Sequence, residues 1–490
     1  MAGRLISPTD YRLGLSVLLE GDSHTALGQA NAAGYRQTTA QGFFEVANSL
    51  LGHPFNIAAN LGVAGESAEQ IAMRLSAALA YKADVVCLLA GQNQSTDAGT
   101  GQPTLATVTA ATVIAMCEAH KANGSVVVLS TVFLRTSGSE TDAEITRKST
   151  INRLLKQYVA TTRGVYLVDL AFALTDPATG YMYADASADT LHMNARGAMI
   201  AGRCYADVLA KIAPPPVIYP ATARDWTNYS ANPTMNGDNA SGTNGFAFPA
   251  ASGISGTGPD ACQIIRRNTA TVVASKVART GSWRRDSKAR MEITAAANYD
   301  AGYFYFGGIG NTLSAGRYDL TWNASATRVL GERRLPTTPN GFIYLCVKPG
   351  TSSNTEPTWP TTEGGTVVDG GTAIWLCQKM PAAGDVFFAE ADLEFSALTA
   401  GKGMGALLIL ELYTTTLQPQ YATALNFPTN GTYGVGSDFA PPLLHLKTPD
   451  LVIPTLTEPV RYLHASVRVF LEAGGSVTVD ISRAAIMRKS

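Results

Sequence analysis

The sequence predicts a two-part chain: an α/β domain built on a mostly parallel sheet, followed by an all-β half. Two observations carry this prediction. Up to about residue 214, short apolar runs alternate with longer amphipathic stretches; beyond it, short alternating strands are separated by Gly, Thr, Ser and Asn turns. The length agrees, since 490 residues exceed what one hydrophobic core usually serves and imply two or three domains.

In the first part, LSVLLEG (15–21), DVVCLLAG (84–91), SVVVLST (125–131) and VYLVDL (165–170) are short, apolar and rich in β-branched residues, the pattern of strands buried on both faces. Between them, ESAEQIAMRLSAALAYK (66–82), PTLATVTAATVIAMCEAHKANG (103–124), TDAEITRKSTINRLLKQYVATT (141–162) and NARGAMIAGRCYADVLAKI (194–212) repeat apolar residues at helical spacing. The proline-dense APPPVIYPATARD (213–225) stops the last helix and stiffens the connection, so the main boundary is expected there.

The second part offers RMEITAAA, GYFYFGG, RYDLTWNA, DVFFAEADLEFSA, ALLILELYTTT, RVFLEA and SVTVDISRAAIM as strands of a β-sandwich or jelly roll. All five tryptophans (Trp226, Trp283, Trp322, Trp359, Trp375) fall here, either to fill a sandwich core or to stack on sugar rings. Cys346 and Cys377 each end a similar run, FIYLC and AIWLC; a disulfide and two strands sharing a core are both compatible with that. Cys87 and Cys117 lie in apolar contexts and read as core.

Bulk charge narrows the partners. Lys plus Arg (37) nearly balance Asp plus Glu (38), which gives no general attraction to nucleic acid or anionic membrane. No uninterrupted apolar segment reaches the roughly 18 residues that cross a bilayer, so no membrane insertion is expected. The amino terminus MAGRLISPTDYRLG lacks the continuous apolar stretch of a secretory signal. No C-x-x-C pair or H-E-x-x-H motif points to a metal, and none is expected.

The chemistry gathers at strand ends. The first strand runs into GDSHT, which sets Gly21, Asp22, Ser23 and His24 at its carboxyl end, where open α/β sheets bind ligands. NLGVAGES (60–67) gives a Gly-rich turn, LLAGQNQ (88–94) puts Gly91 and Asn93 after another strand, and ADTLHMN (188–194) supplies Asp189 and His192 just before the last helix. A serine hydroxyl needs a base within hydrogen-bond reach, and imidazole suits that duty. His192 is the candidate base for Ser23. Asp189, three residues earlier, would share a face of a helical turn with it and fix its tautomer, a duty that a backbone carbonyl could also perform.

These four blocks, in this order, resemble the SGNH (GDSL-like) hydrolase family across the whole first domain. The resemblance implies a three-layer, flavodoxin-like α/β/α fold and a cofactor-free serine esterase with Ser23 as nucleophile, His192 as base and Asp189 as its partner. It implies an oxyanion hole from the Ser23 amide, the Gly65 amide and the Asn93 side chain, with Gly62 the alternative to Gly65. Two positions depart from the family pattern. Gln94 stands where Asp is common, and His24 stands where an aliphatic residue is common, so His24 is either a pocket-lining, substrate-binding residue or an exposed turn residue. The chain lacks G-x-S-x-G, the elbow of the α/β-hydrolases.

Residues 327–380 have their own signature, LPTTPNGFIYLC followed by EPTWPTTEGGTVVDGGTAIWLC. They resemble a small β module that recurs in phage and prophage tail proteins. The expected organisation is therefore an esterase domain (1–214), a carbohydrate-binding-like β-sandwich (215–326 and 381–490) and an inserted module (327–380). Together these imply an O-deacetylase acting on a bacterial surface polysaccharide as a virion tail fibre or tailspike component, made in the cytoplasm and released by lysis. Tail proteins of this kind are commonly trimers, so homotrimerisation and contacts with other tail proteins are expected. The alternatives are a cellular short-chain esterase or lipase with an accessory β domain, and a non-catalytic receptor-binding protein.

Overall fold

The computed structural model describes residues 14–32, 35–39, 41–96, 100–213, 229, 253–259, 262–278, 287–306, 320–399, 403–414, 420–426, 444–456, 458, 460 and 462–489. Trp226, Trp283 and most of the proline-dense segment lie outside these residues. The chain divides into two compact units. One comprises residues 1–30 and 39–217, the other 31–38 and 218–490.

The first unit begins with β1 (Leu15–Gly21) and α1 (Ser23–Ala26), followed in the chain by the short strands β2 (Gln29–Ala32) and β3 (Tyr35–Thr39), most of whose residues belong to the second unit. It continues through α2 (Phe43–Leu50), β4 (Phe55–Gly62), α3 (Ala68–Met73), α4 (Leu75–Leu79), β5 (Val85–Leu89) and α5 (Ala106–Ala122). The remainder is β6 (Val126–Ser130), α6 (Asp142–Thr161), β7 (Val165–Val168), α7 (Leu170–Ala173) and α8 (Ala195–Leu209). Five strands form a parallel sheet in the order β4-β1-β5-β6-β7. Strand order reverses at β1, so the crevice between β1 and β5 is the switch point where such sheets bind ligands.

Alternation along the strands explains the layers. Val17 and Leu19 of β1, with Cys87 and Leu89 of β5, pack with Phe43, Phe44, Ala198 and Tyr205 of α2 and α8 on one face. Leu88 and Leu129 pack on the other face with Val113, Met116 and Cys117 of α5 and Ile151 and Leu155 of α6. Each such side chain withdrawn from water contributes about 1.5–3 kcal/mol, so the sheet centre is the stable platform of the site.

Three features differ from expectation. Strand β4 is not among the predicted strands because it is an edge strand in which only Phe55 is buried, and its sequence lacks a continuous apolar run. The expected helix over 66–82 breaks at Arg74, whose guanidinium bonds back to Glu66 and to the Leu61 carbonyl. Residues 31–38, expected in the first domain, belong to the second unit, where β3 lies beside Gln420–Asn426 in a sheet.

The second unit holds two seven-stranded sheets, whose described strand pairings are antiparallel except where Val272–Ala274 meets Ile254–Gly256. One contains Val386–Ser396, Ser476–Lys489 and Ser287–Thr294; the other contains Gly403–Tyr413, Tyr462–Leu471 and Asp300–Phe306. Of RYDLTWNA only residues 320–324 are described, and there Thr321 makes an isolated bridge to Leu335. A separate four-stranded sheet spans Arg333–Lys379 and packs Tyr344, Cys346, Trp375 and Cys377 into its core. Cys346 and Cys377 are free thiols facing Trp375 and Tyr344 across the strands. Trp322 and Trp375 are buried, and both indole N–H groups donate to Asp369. No described helix is long and apolar enough to cross a membrane.

Candidate active site

Gly21 ends β1 opposite Gly62 of β4 and Leu89 of β5, which brings three strand ends to one level. No side chain fits at Gly21: a Cβ there would lie 2.3 Å from Thr25 Oγ1 and 2.6 Å from the Leu89 carbonyl oxygen. The chain therefore turns tightly into α1. Asp22 caps this helix, its Oδ1 accepting the His24 amide at 3.0 Å while its carbonyl accepts those of Thr25 and Ala26. Ser23 follows as the first helical residue, 7% exposed.

His192 arrives from the long segment between α7 and α8. Its Nε2 lies 2.9 Å from Ser23 Oγ, and its Nδ1 lies 2.6 Å from Asp189 Oδ2. The spacing of three does not reflect the helical turn expected from the sequence. Asp189–His192 is a loop in which Asp189 Oδ1 accepts the amides of Leu191 and His192, with Thr190 between them at φ 77°. Partial burial works against ionisation of Asp189, but the bonds from the His192 ring and these amides outweigh it and hold the carboxyl below its ordinary value.

The other two blocks meet beside this turn. Asn93 Nδ2 donates to the Glu66 carbonyl at 3.1 Å, and Asn93 forms a parallel bridge with Ser67, which joins the loops after β4 and β5. That bond uses one of the two amide hydrogens. Gly65 adopts φ +81°, and a Cβ there would meet nothing within 4 Å, whereas a Cβ on Gly62 would sit 2.2 Å from the Ala26 nitrogen. Gly65 thus faces open space; Gly62 is the glycine that lets β4 pack on α1.

His24 is neither an exposed turn residue nor the wall of an open cleft. It is 2% exposed, its ring edge-on to Phe133 at 4.8 Å and 5.3 Å from the His192 ring. Burial, reinforced by the nearby His192 and Lys148, depresses its pKa to about 3, so the ring is neutral. Asp22 shifts the opposite way, pushed up to about 7 by burial against the opposing pull of the His24 amide, His192 and Lys148. Among the described residues no group of three or more His, Cys, Asp or Glu side chains could hold a metal ion.

Residues 20–200 match the GDSL-like lipase/acylhydrolase family. The chain carries a GDSL-like acylhydrolase domain. It is a carboxylic ester hydrolase. No curated protein matches the chain in sequence. Solved structures similar to it include a member of the lipolytic G-D-S-L family from Veillonella parvula, 18% identical, covering 40% of this chain and 98% of that one, TM-score 0.32. Another is a GDSL-like lipase from Bacteroides thetaiotaomicron, 15% identical, covering 41% and 91%, TM-score 0.33. A third is a catalytic mutant of an acetylxylan esterase from Geobacillus stearothermophilus, 21% identical, covering 39% and 92%, TM-score 0.34.

Around the acylhydrolase site lie further residues, all but Gln94 singled out by no sequence motif. Lys148 on α6 is 2% exposed, pairs with Glu140 and donates to the Phe133 carbonyl. Its neighbour Arg147 donates to the carbonyls of Gly91 and Gln92, just before Asn93. Glu69 accepts from Ser95 and Thr109, which fixes the start of α3 against the loop after Asn93. Gln94 reaches the Thr104 carbonyl at 3.4 Å. The sequence signal for Arg147 and Lys148 is two adjacent cations on α6, a pattern that otherwise reads as a solvated face.

Proposed function

We propose that the chain is a carbohydrate O-deacetylase that removes O-acetyl groups from a bacterial surface polysaccharide as a phage or prophage tail component. The observation that carries the esterase chemistry is the hydrogen-bonded line from Ser23 Oγ through the His192 ring to the Asp189 carboxylate. Ser23 Oγ attacks the acetyl carbonyl while His192 Nε2 takes its proton. The oxyanion is met by the Ser23 and Gly65 amides and the Asn93 side chain, all donors fixed before the charge develops. Collapse expels the sugar hydroxyl, which takes its proton from His192. A water that gives its proton to His192 then attacks acetyl-Ser23; collapse breaks the bond to Ser23 Oγ, which takes that proton back from His192 as acetate leaves. Asp189 keeps Nδ1 protonated so that Nε2 is the acceptor.

The substrate and setting rest on the second half. Residues 327–380 carry the phage-tail-like signature, and we read the two seven-stranded sheets as a sandwich of the glycan-facing kind. Turnover of p-nitrophenyl acetate that vanishes in Ser23→Ala is expected; undiminished turnover would sink the esterase assignment. With purified O-acetylated polysaccharides, acetate release without chain shortening is the expected result. Release of oligosaccharides, or preference for long acyl chains, would overturn the deacetylase reading. A solution mass of three chains would support assembly as a tail protein.

A further inference from the structure

We propose that Gln92 is a positioning residue of this site, coupling the Asn93 turn to the loop that carries Asp189 and His192; the proposal rests on the esterase reading above. Gln92 is 3% exposed and sits between Gly91, at φ +103°, and Asn93. Its side chain behaves like the backbone of a neighbouring strand. Nε2 donates to the Phe133 carbonyl at 2.9 Å, and Oε1 accepts the Phe133 amide at 3.2 Å. From α6 the Asn152 amide makes the same two bonds to Val132, at 2.9 and 2.7 Å. Val132 and Phe133, just beyond the end of β6, are thereby held in place by side-chain amides instead of by a strand.

What those residues support is the catalytic loop. The Phe133 ring packs against His24, and the His24 ring lies against His192. Two and three residues further on, the Arg135 carbonyl accepts the Met182 amide at 3.1 Å, and the Thr136 amide donates to the Thr190 carbonyl at 3.0 Å. Thr190 lies between Asp189 and His192. On its other side, Gln92 shares its peptide unit with Asn93, and its own carbonyl is held by Arg147 at 3.0 Å. One buried amide therefore sets the distance between the oxyanion donor and the base. Gln92 touches no reacting atom, so its effect must come through geometry, where a misplacement of about 1 Å costs about 100-fold.

The test is steady-state hydrolysis of p-nitrophenyl acetate by the full chain, with reactive serines counted by fluorophosphonate titration. Gln92→Leu keeps the volume and removes both bonds; Gln92→Glu keeps the acceptor and loses the donor. The expected result for Gln92→Leu is kcat per titrated serine at least about tenfold down with KM within about twofold, and a smaller loss for Gln92→Glu. A purely structural role would reduce the number of titratable serines and leave turnover per site unchanged. That outcome, in whichever variant folds, overturns the proposal. If wild-type turnover survives Ser23→Ala, it is the esterase reading that fails instead.

Discussion

Asp189 holds His192 with both carboxylate oxygens: Oδ1 accepts the backbone amide at 2.7 Å and Oδ2 faces ring Nδ1 at 2.6 Å. One side chain thus fixes both the loop and the tautomer. Asp189→Ala is expected to lower kcat for acetyl ester hydrolysis by about 100-fold or more with little change in KM. Asp189→Asn preserves an acceptor for the amides but not the charge beside the imidazolium, so it should restore the loop without restoring the rate. Steady-state kinetics of the two variants check this.

Asn93 combines a structural bond with the proposed oxyanion contact. Asn93→Ala removes both and should reduce kcat by about 100- to 1000-fold, the usual loss for one oxyanion donor. Because the donor acts on charge that develops only in the transition state, KM should move little. A KM rise with unchanged kcat would assign Asn93 to ground-state binding.

The two candidate glycines separate by substitution. Gly62→Ala forces a methyl to 2.2 Å from the Ala26 nitrogen and must displace α1, so it should lower the melting temperature and the rate together. Gly65→Ala meets no neighbour and bears only the strain of φ +81°, about 1–3 kcal/mol. A Gly65→Ala variant that melts lower than Gly62→Ala would contradict these roles.

The two buried groups flanking Ser23 give opposite pH dependences. His24 has its folded pKa depressed to about 3, so its contribution to stability is present above its ordinary value of 6.5 and is lost as pH falls toward 3. His24→Leu should therefore lose less stability than wild type between pH 6.5 and 3. Asp22 has its pKa raised to about 7 from 3.8, so its contribution is present below 3.8 and is lost as pH rises through 7. Asp22→Asn should flatten the decline on that side. Urea unfolding midpoints across the pH range read both slopes.

The blocks of the candidate site are legible in the sequence because each lies where a strand ends and its residue types have few other uses in that order. The three central strands and β7 at the other edge are legible from their short apolar runs, and most helices from apolar residues at helical spacing. Edge strand β4 is not, since solvent on one side removes the apolar run that marks a strand. The geometry of Asp189–His192 is half legible: the pairing is expected, but its cause is a side chain folding onto its own loop instead of a shared helical face. His24 reads as pocket or surface because histidine is seldom predicted as core, and only packing against Phe133 and His192 reveals it as such. Gln92 cannot be read at all, and Lys148 reads as part of a solvated face. Gln92 is held by backbone groups 41 residues away, and Lys148 bonds a carbonyl 15 residues away besides Glu140; a carbonyl leaves no mark in a sequence.

The short strands that come after the Ser23 turn have a consequence for how the protein can be taken apart. Because residues 31–38 count with the second unit while residues 1–30 and 39–217 count with the first, the chain passes between units three times. A single protease nick near residue 217 would leave the carboxyl-terminal fragment without the β3 strand that borders Gln420–Asn426. A gene swap at that proline-rich joint would therefore exchange an incomplete sheet for an incomplete sheet.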